Sequence, residues 1–357
     1  MANDATEIER DDERPDQLAG RQPTMADVAR IAQVSTATVS YLLSGRDALM
    51  RRVGADAQGR IRQAVDQLGY IQNKTARHLR LQRTERLCVL LPRLGIPFAD
   101  KMAQDIEAVA QRRGFATIVV TASTARAFGR VLHEIESGLA DGLIADLDGV
   151  IAGAPEEFHE PLSRLDRTSL MIQADNPIVG PFSVMTHERV PALQQALAHV
   201  HSRGHRRLAY VSNHSSHASP RVAVVNAFVA QHPGMEPPVL VEHVHSRGAA
   251  VERARDIAAM KKKQRPTMVL VESDYTAVAM VEEFQRQGLN VPEDIGVIGC
   301  GNAEEGYYCN PRLSTLGPVA LSMTEATEHL IDLVMNPIAG TPKTFRVPWQ
   351  LYIRESG

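Results

Sequence analysis

Cysteine is scarce: Cys88, Cys300 and Cys309 are the only three in 357 residues. Three thiols cannot build a disulfide framework, and apolar neighbours mark Cys88 and Cys300 as buried thiols. No apolar run approaches the roughly 18 residues a membrane helix needs, because charge or glycine interrupts each one. The opening stretch MANDATEIERDDERPD has neither a basic start nor an apolar core, which excludes a signal peptide. Catalytic patterns are also missing. There is no G-x-S-x-G elbow and no visible nucleophile–base–carboxylate set. Gly299-Cys300-Gly301 lacks the third glycine and the helix start of a dinucleotide fingerprint. These absences point to a soluble, cytoplasmic protein that is not an enzyme and calls for no cofactor.

What is present is a full globular composition, 44% hydrophobic and 23% charged, at a length that suits two or three domains. The net charge of -3 hides a segregation. Residues 1–23 hold three Arg and seven Asp/Glu, for -4; residues 24–86 hold eleven Lys/Arg and five Asp/Glu, for +6; the rest carries -5. A small basic module on a larger, mildly acidic body is the footprint of a nucleic-acid binder with a second function attached. Chance clustering is the plainer alternative.

Three regions follow along the chain. Residues 1–22 have few large apolar groups and are expected to be a disordered acidic tail. From Thr24 the pattern becomes helical: Thr24 and Asp27 form a variant capping box ahead of Val28, Ala29, Ile31 and Ala32. Ser35 or Thr36 can cap a second helix through Val39, Leu42 and Leu43, which stops at Ser44-Gly45. A third, about 56–68, carries Ile61, Val65 and Leu68. Short helices with a tight turn make a helix-turn-helix domain. From about residue 86 strand-length apolar runs alternate with amphipathic helices: 87–92, 99–113, 117–122, 124–138 and 142–147, then 207–212, 219–231, 239–244, 248–263, 267–273, 274–287 and 296–300. This is the signature of two doubly wound parallel-sheet lobes, here separated by an apparently irregular stretch, 150–206. A ligand cleft is expected between such lobes, beyond the strands' carboxyl ends.

The segment TMADVARIAQVSTATVSYLLSG, with LGYIQN (68–73) and NKTARHLR (73–80), resembles the helix-turn-helix and hinge of the LacI/GalR family of bacterial transcription regulators. GHRRLAYV (204–211), LNVPEDIGVIG (289–299) and the terminal RES (354–356) continue the resemblance in order. It covers residues 24 to about 354 and implies a type I periplasmic-binding-protein-like body. The domain plan expected is a tail (1–22), a DNA-binding domain (23–72), a hinge (73–84) and a two-lobed effector-binding and dimerisation domain (85–357). Lobe 1 would take about 85–181 and 314–340, and lobe 2 about 182–313 and 341–357.

The resemblance implies that helix 35–44 enters the DNA major groove, with Thr36, Ala37 and Tyr41 at the base-reading positions. Thr36 can donate or accept, Ala37 can meet a thymine methyl, and Tyr41 offers a hydroxyl and a ring. Where the family often has Arg or His, Tyr41 removes bidentate guanine reading, and a phosphate contact is its alternative. Ser35, Thr38 and Ser40 are expected to cap the helix or contact phosphate. In the hinge, Asn73, Ala76, Arg77, Leu79 and Arg80 match the family pattern. Leu79 is implied as a minor-groove wedge that kinks the duplex, with Arg77 and Arg80 on phosphates or the groove. The chain is several residues longer than the family between Gly45 and the third helix. Arg46, Arg51 and Arg52 there are expected to be solvated, or to add phosphate contacts.

In the body, family effector positions mostly change. The pocket Arg becomes Val224, a pocket Asp becomes Gly301, and an Asn becomes Ser273 ahead of a retained Asp274. Thr186, followed by His187, takes another Asp position; Arg93 replaces an Asp; Phe98 is kept but the next aromatic is Ala99. An Arg with two carboxylates is what gripping vicinal hydroxyls demands. Their joint loss argues against an ordinary monosaccharide. Arg93, Phe98, Thr186, Arg221, Ser273 and Asp274 are the candidate effector residues, and a body that serves dimerisation alone is the alternative.

The histidines 199, 201, 205, 214, 217, 243 and 245 invite a metal reading. Gly204 interrupts the one i,i+4 pair, so no metal site is expected. Lys261–Lys263 is expected to be a solvated helix end. The expectation is a sequence-specific DNA-binding regulator, a repressor, acting as a homodimer on a palindromic double-stranded operator, with small-molecule control through the cleft. No membrane contact is expected. A solute sensor with a vestigial DNA module is the alternative from another class.

Overall fold

A computed structural model describes residues 22–43, 47–71, 83–173, 178–213, 219–336 and 340–357. The chain divides into two units, Met1–Gln82 and Arg83–Gly357. In the first, Thr24 and Asp27 form the capping box: Asp27 N donates to the Thr24 hydroxyl at 3.4 Å, and Thr24 N donates to the Asp27 carboxylate at 2.9 Å. This starts α1 (Met25–Ala32), which ends as Gln33 turns left-handed at φ 55°. Ser35 Oγ accepts from Thr38 N at 3.1 Å and so caps α2 (Thr36–Leu43). α3 (Asp47–Met50) and α4 (Ala55–Leu68) follow, and Gly69 closes α4 at φ 59°, where a side chain would be strained.

Val28, Ala32, Val39, Leu42, Ile61 and Ala64 converge into the small core of this unit. Arg60 Nε donates to Ala32 O at 3.0 Å, pairing a carbonyl at the end of α1 that its own helix leaves open. In the longer segment after Gly45, Arg51 and Arg52 are exposed, as solvated charges would be, while the backbone forms α3 and buries Val53. Met50 packs beside it, and Gln58 Nε2 donates to Val53 O at 2.8 Å, pinning the segment to α4.

The second unit carries β1 (Arg86–Leu91), α5 (Pro97–Arg112), β2 (Ala116–Thr121), α6 (Ala125–Glu136), β3 (Gly142–Asp146), α7 (Asp148–Gly153), α8 (His159–Ser163), β4 (Ser169–Gln173) and β5 (Ser183–Glu188). It continues with α9 (Arg189–Ser202), β6 (Leu208–Val211), α10 (Pro220–Gln231), β7 (Val239–Val241), α11 (Arg247–Ala259), β8 (Met268–Val271), α12 (Asp274–Arg286) and β9 (Gly296–Cys300). Last come α13 (Glu305–Tyr308), β10 (Ser314–Pro318), α14 (Thr324–Met335) and β11 (Thr344–Tyr352).

Strand order is β2-β1-β3-β4-β5-β11-β10-β9-β8-β6-β7 among the described residues. Each half repeats one doubly wound order, β2-β1-β3-β4-β5 and β7-β6-β8-β9-β10, and its neighbours run parallel. The two expected lobes are therefore present. β11 belongs to both: Thr344–Pro348 pairs in parallel with β5, and Trp349–Tyr352 pairs antiparallel with β10. Central strands such as β1, β4 and β9 are buried almost end to end, as helices on both faces require. Helix faces fill the layers between; Met102, Ile106, Leu330 and Phe284 are fully buried, and truncating such a side chain typically costs about 2–5 kcal/mol.

Two expectations need correction. The stretch 150–206 is not irregular: it contains β4, β5 and the 14-residue α9. The strands are short and hold Ser, Gln, Thr and His among their apolar residues, and Pro191 sits in the first turn of α9, so neither period was clear in the sequence. The lobe boundaries also move by a strand. β5 pairs with β4 in the first lobe rather than opening the second, and β10 pairs with β9 in the second rather than returning to the first. α11 stops at Ala259, so Lys261–Lys263 follows it as an exposed run.

Candidate nucleic-acid interface and interlobe cleft

α2 divides its side chains between core and solvent. Val39 and Leu42 are buried, whereas Ser35, Thr36, Ala37 and Tyr41 are exposed and Thr38 and Ser40 are half-buried. The Ser35 and Thr38 hydroxyls lie 2.8 Å apart at the helix start. The exposed face thus offers the Ser35 and Thr36 hydroxyls, the Ala37 methyl and the Tyr41 phenol, which is 39% exposed. Arg51 and Arg52 are exposed nearby in sequence. The hinge residues Asn73, Ala76, Arg77, Leu79 and Arg80, and Arg46, lie outside the described residues.

In the second unit the strand order places a switch point between β1 and β3 in one lobe and between β6 and β8 in the other. Residues just past these strand ends line the interlobe cleft. At the second point Glu272 follows β8 and is buried. Its carboxylate accepts from Tyr210 Oη at 2.9 Å and from Ser212 Oγ, Ser219 Oγ and Asn213 N at 3.0 Å each; Arg221 Nη2 lies 3.4 Å away. Burial alone would push this carboxyl up, but the Arg221 charge and the converging donors hold it below the usual carboxylate range. The cavity beside it, lined by Arg189, Tyr210, Arg221 and Cys300, measures about 10 Å³. That is room for about one water molecule.

The six candidate effector residues part company here. Arg221 reaches the cavity, paired with Glu272. Phe98 lies in an aromatic group, its ring 5.6 Å from His187 and 5.7 Å from Trp349. Arg93 instead straps the lobes together: its Nη2 donates to His245 O at 2.6 Å and its guanidinium stands 5.5 Å from the Tyr275 ring centre. Thr186 accepts from Gln173 Nε2 at 3.0 Å. Ser273 is the N-cap of α12. Asp274 accepts from Thr315 Oγ1 at 2.6 Å and Ala303 N at 2.7 Å, and burial pushes its carboxyl up to about 6 despite those bonds. Asp274 therefore braces β10 and the loop after β9 with its two carboxylate oxygens.

Sequence reasoning missed Glu272, although a Glu closing the buried run MVLV is itself a signal. It also missed the group around Trp349. Trp349 Nε1 donates to His187 Nδ1 at 3.0 Å, and Arg189 stacks its guanidinium 4.9 Å from the Trp349 ring centre. Burial, then the nearby Arg189 charge, depresses His187 to about 3, so the ring is neutral and its proton sits on Nε2. Asp146, at the end of β3, is pushed up to about 6 by burial, against the pull of Arg189.

Cys88 and Cys300 are buried thiols as expected, and desolvation pushes them up to about 12 and 11, out of the reactive range. His201 packs 4.7 Å from His232, which stacks on Phe228, and His205 Nδ1 meets Thr267 Oγ1 at 2.9 Å. Among the described residues no group of three or more His, Cys, Asp or Glu could hold a metal ion. No described helix is long and apolar enough to cross a membrane.

A family model for bacterial regulatory proteins of the lacI family matches residues 24–73, and one for the periplasmic binding protein-like domain matches residues 197–357. The HTH-type transcriptional repressor PurR of Vibrio campbellii is 28% identical over 308 residues, 82% of this chain and 86% of that protein. The ribose operon repressor of Haemophilus influenzae is 27% identical over 329 residues, 88% and 92% of the two chains. The solved lac repressor dimer, bound to operator and an anti-inducer, shares the fold at a TM-score of 0.72 and 19% identity, covering 94% of this chain and 99% of its own. With a helix-turn-helix module at one end and a two-lobed binding-protein body at the other, the chain belongs to the LacI/GalR family of bacterial transcriptional regulators.

Proposed function

We propose that this protein is a DNA-binding transcriptional repressor that reads a palindromic operator as a homodimer and is controlled by a small molecule in the interlobe cleft. The observation that carries the reading is the division of α2. Its core residues Val39 and Leu42 anchor the helix, and Thr36, Ala37 and Tyr41 stand on the opposite, exposed face at the positions a groove-reading helix uses. The role is regulatory rather than catalytic, and it places the protein where chromosomal DNA is. Residues 23–72 would form the DNA-binding domain, 73–84 the hinge and 85–357 the effector-binding and dimerisation body.

Support for a dimer comes from the lac repressor, whose solved dimer on operator shares this fold. A palindromic site mirrors two-fold protein symmetry. The cleft differs from a sugar grip because its principal carboxylate, Glu272, is already bound by the chain's own donors. Effector coupling to DNA affinity in such systems is typically about 1–3 kcal/mol.

Selection from a random duplex DNA pool by the purified full chain tests the proposal. Enrichment of a palindrome with a flexible central step is expected, with affinity falling steeply as salt rises. Folded protein that enriches no sequence, with and without candidate ligands, would overturn it.

A further inference from the structure

We infer that the interlobe cleft takes a hydroxylated organic oxyanion, gripped by the Arg189 guanidinium and the His187 Nε2 proton. The inference rests on the body being an effector-binding domain. Its basis is a mismatch between donors and acceptors where β5 passes into α9. His187 is 1% exposed; its Nδ1 is taken by Trp349, and its buried Nε2 has no acceptor among the described residues. Two residues on, Arg189 lies over Trp349 with its Nε buried and likewise without an acceptor. No carboxylate stands within ion-pair distance of Arg189 among the described residues. Buried donors without acceptors are rare and costly, and a cation among them is costlier.

The neighbouring charges decide which ligand fits. Glu272 meets the charge of Arg221, so the donor set of the second lobe is already closed by an internal carboxylate. Arg189 remains as the cation on the cavity wall that lacks such a partner. Asp146, at the end of β3, is near enough to Arg189 to feel its charge, and Asp148, at the start of α7, is near enough to act on Asp146. An oxyanion laid on those carboxyls would be repelled, so it belongs on the Arg189–His187 side. Asp146 then accepts from a hydroxyl at the ligand's other end. Phe98 and Trp349 supply flat apolar faces beside His187 for the ligand's carbon skeleton.

At about 10 Å³ the cavity holds no such ligand until the lobes part, a motion that would break the Arg93–His245 hydrogen bond between them. Carboxylates and phosphate esters share the required chemistry, and a matched series separates them: glucuronate, glucose 6-phosphate and neutral glucose. Titration calorimetry of the full chain with each should show binding of at least one of the two anions, at least tenfold tighter than glucose. Arg189→Gln should weaken the bound anion about tenfold or more, the value of one charge-assisted hydrogen bond, and Arg189→Lys should recover part of it.

Circular dichroism and thermal melting of both variants show whether they fold; if Arg189→Gln does not, Arg189→Lys and His187→Gln carry the test. Glucose binding as tightly as the anions overturns the inference, as does anion affinity unchanged in a folded Arg189 or His187 variant, or no binding of any of the three. The DNA selection above is run on the same preparation. A palindrome enriched without anion binding sinks the ligand and spares the regulator, whereas anion binding without enrichment does the reverse.

Discussion

Tyr210 Oη donates to Glu272 Oε1 at 2.9 Å, joining the ends of the adjacent strands β6 and β8. Glu272 is the acceptor on which four hydrogen-bond donors and Arg221 depend. Replacing it with Gln keeps the shape but takes the carboxylate from a buried guanidinium. The expected loss is about 3 kcal/mol, in the range for breaking a buried pair. Urea denaturation of the full chain measures it, and a loss below about 1 kcal/mol would show that Arg221 is well served elsewhere. Because the carboxyl is held below its usual range, this contribution is complete above about pH 4.5 and fades as pH falls through the depressed value.

Asp274 gives the opposite sign. Burial raises its folded value to about 6 from the ordinary 3.8, so between those two values the native state holds a proton the unfolded chain has released. Stability therefore falls as pH rises from about 4 to 6 and levels off above, by an amount on the order of 3 kcal/mol. Asp274→Asn should flatten that slope, since an amide can still accept from Ala303 N and donate to the Thr315 hydroxyl. Asp146, also raised to about 6, supplies what slope remains. Melting temperature against pH for wild type and variant checks this; identical profiles would remove Asp274 from the account.

The Thr24–Asp27 capping box should hold the first turn of α1. Thr24→Ala is expected to cost about 1 kcal/mol, as cap removals do. Amide hydrogen exchange within 25–32 reads the effect locally, and unchanged protection there would mean that α4 packing alone holds the helix.

On DNA, Tyr41→Phe separates two contacts that share one hydroxyl. If the phenol meets a base, affinity for the selected operator drops about fivefold while random duplex is bound as before. If it meets phosphate, both drop together and the preference survives. Thr36→Ala should relax preference at one position of each half-site. Competition binding at fixed salt distinguishes the outcomes.

The helices of the DNA-binding module were legible because caps and apolar spacing agree: Thr24, Ser35, Val39 and Ile61 all sit where local chemistry and burial want them. The doubly wound lobes were legible from their buried strands. Less visible were β4, β5 and α9, whose polar residues serve pairing and the cleft rather than periodicity. The cleft itself was the least legible. The family resemblance implies that Val224 and Gly301 depart from the effector pattern, yet it does not reveal that Glu272 turns inward to Tyr210, or that His187 and Arg189 meet Trp349 from a strand far along the chain. The second of these groups forms only once β11 has brought Trp349 between the lobes.

That crossing has a mechanical corollary. A strand that gives its first half to one sheet and its second half to the other cannot be surrendered by either lobe alone. The two lobes, each with its own complete doubly wound set of strands, are therefore expected to melt in one transition, and two resolved transitions in calorimetry of the full chain would show that β11 does not couple them.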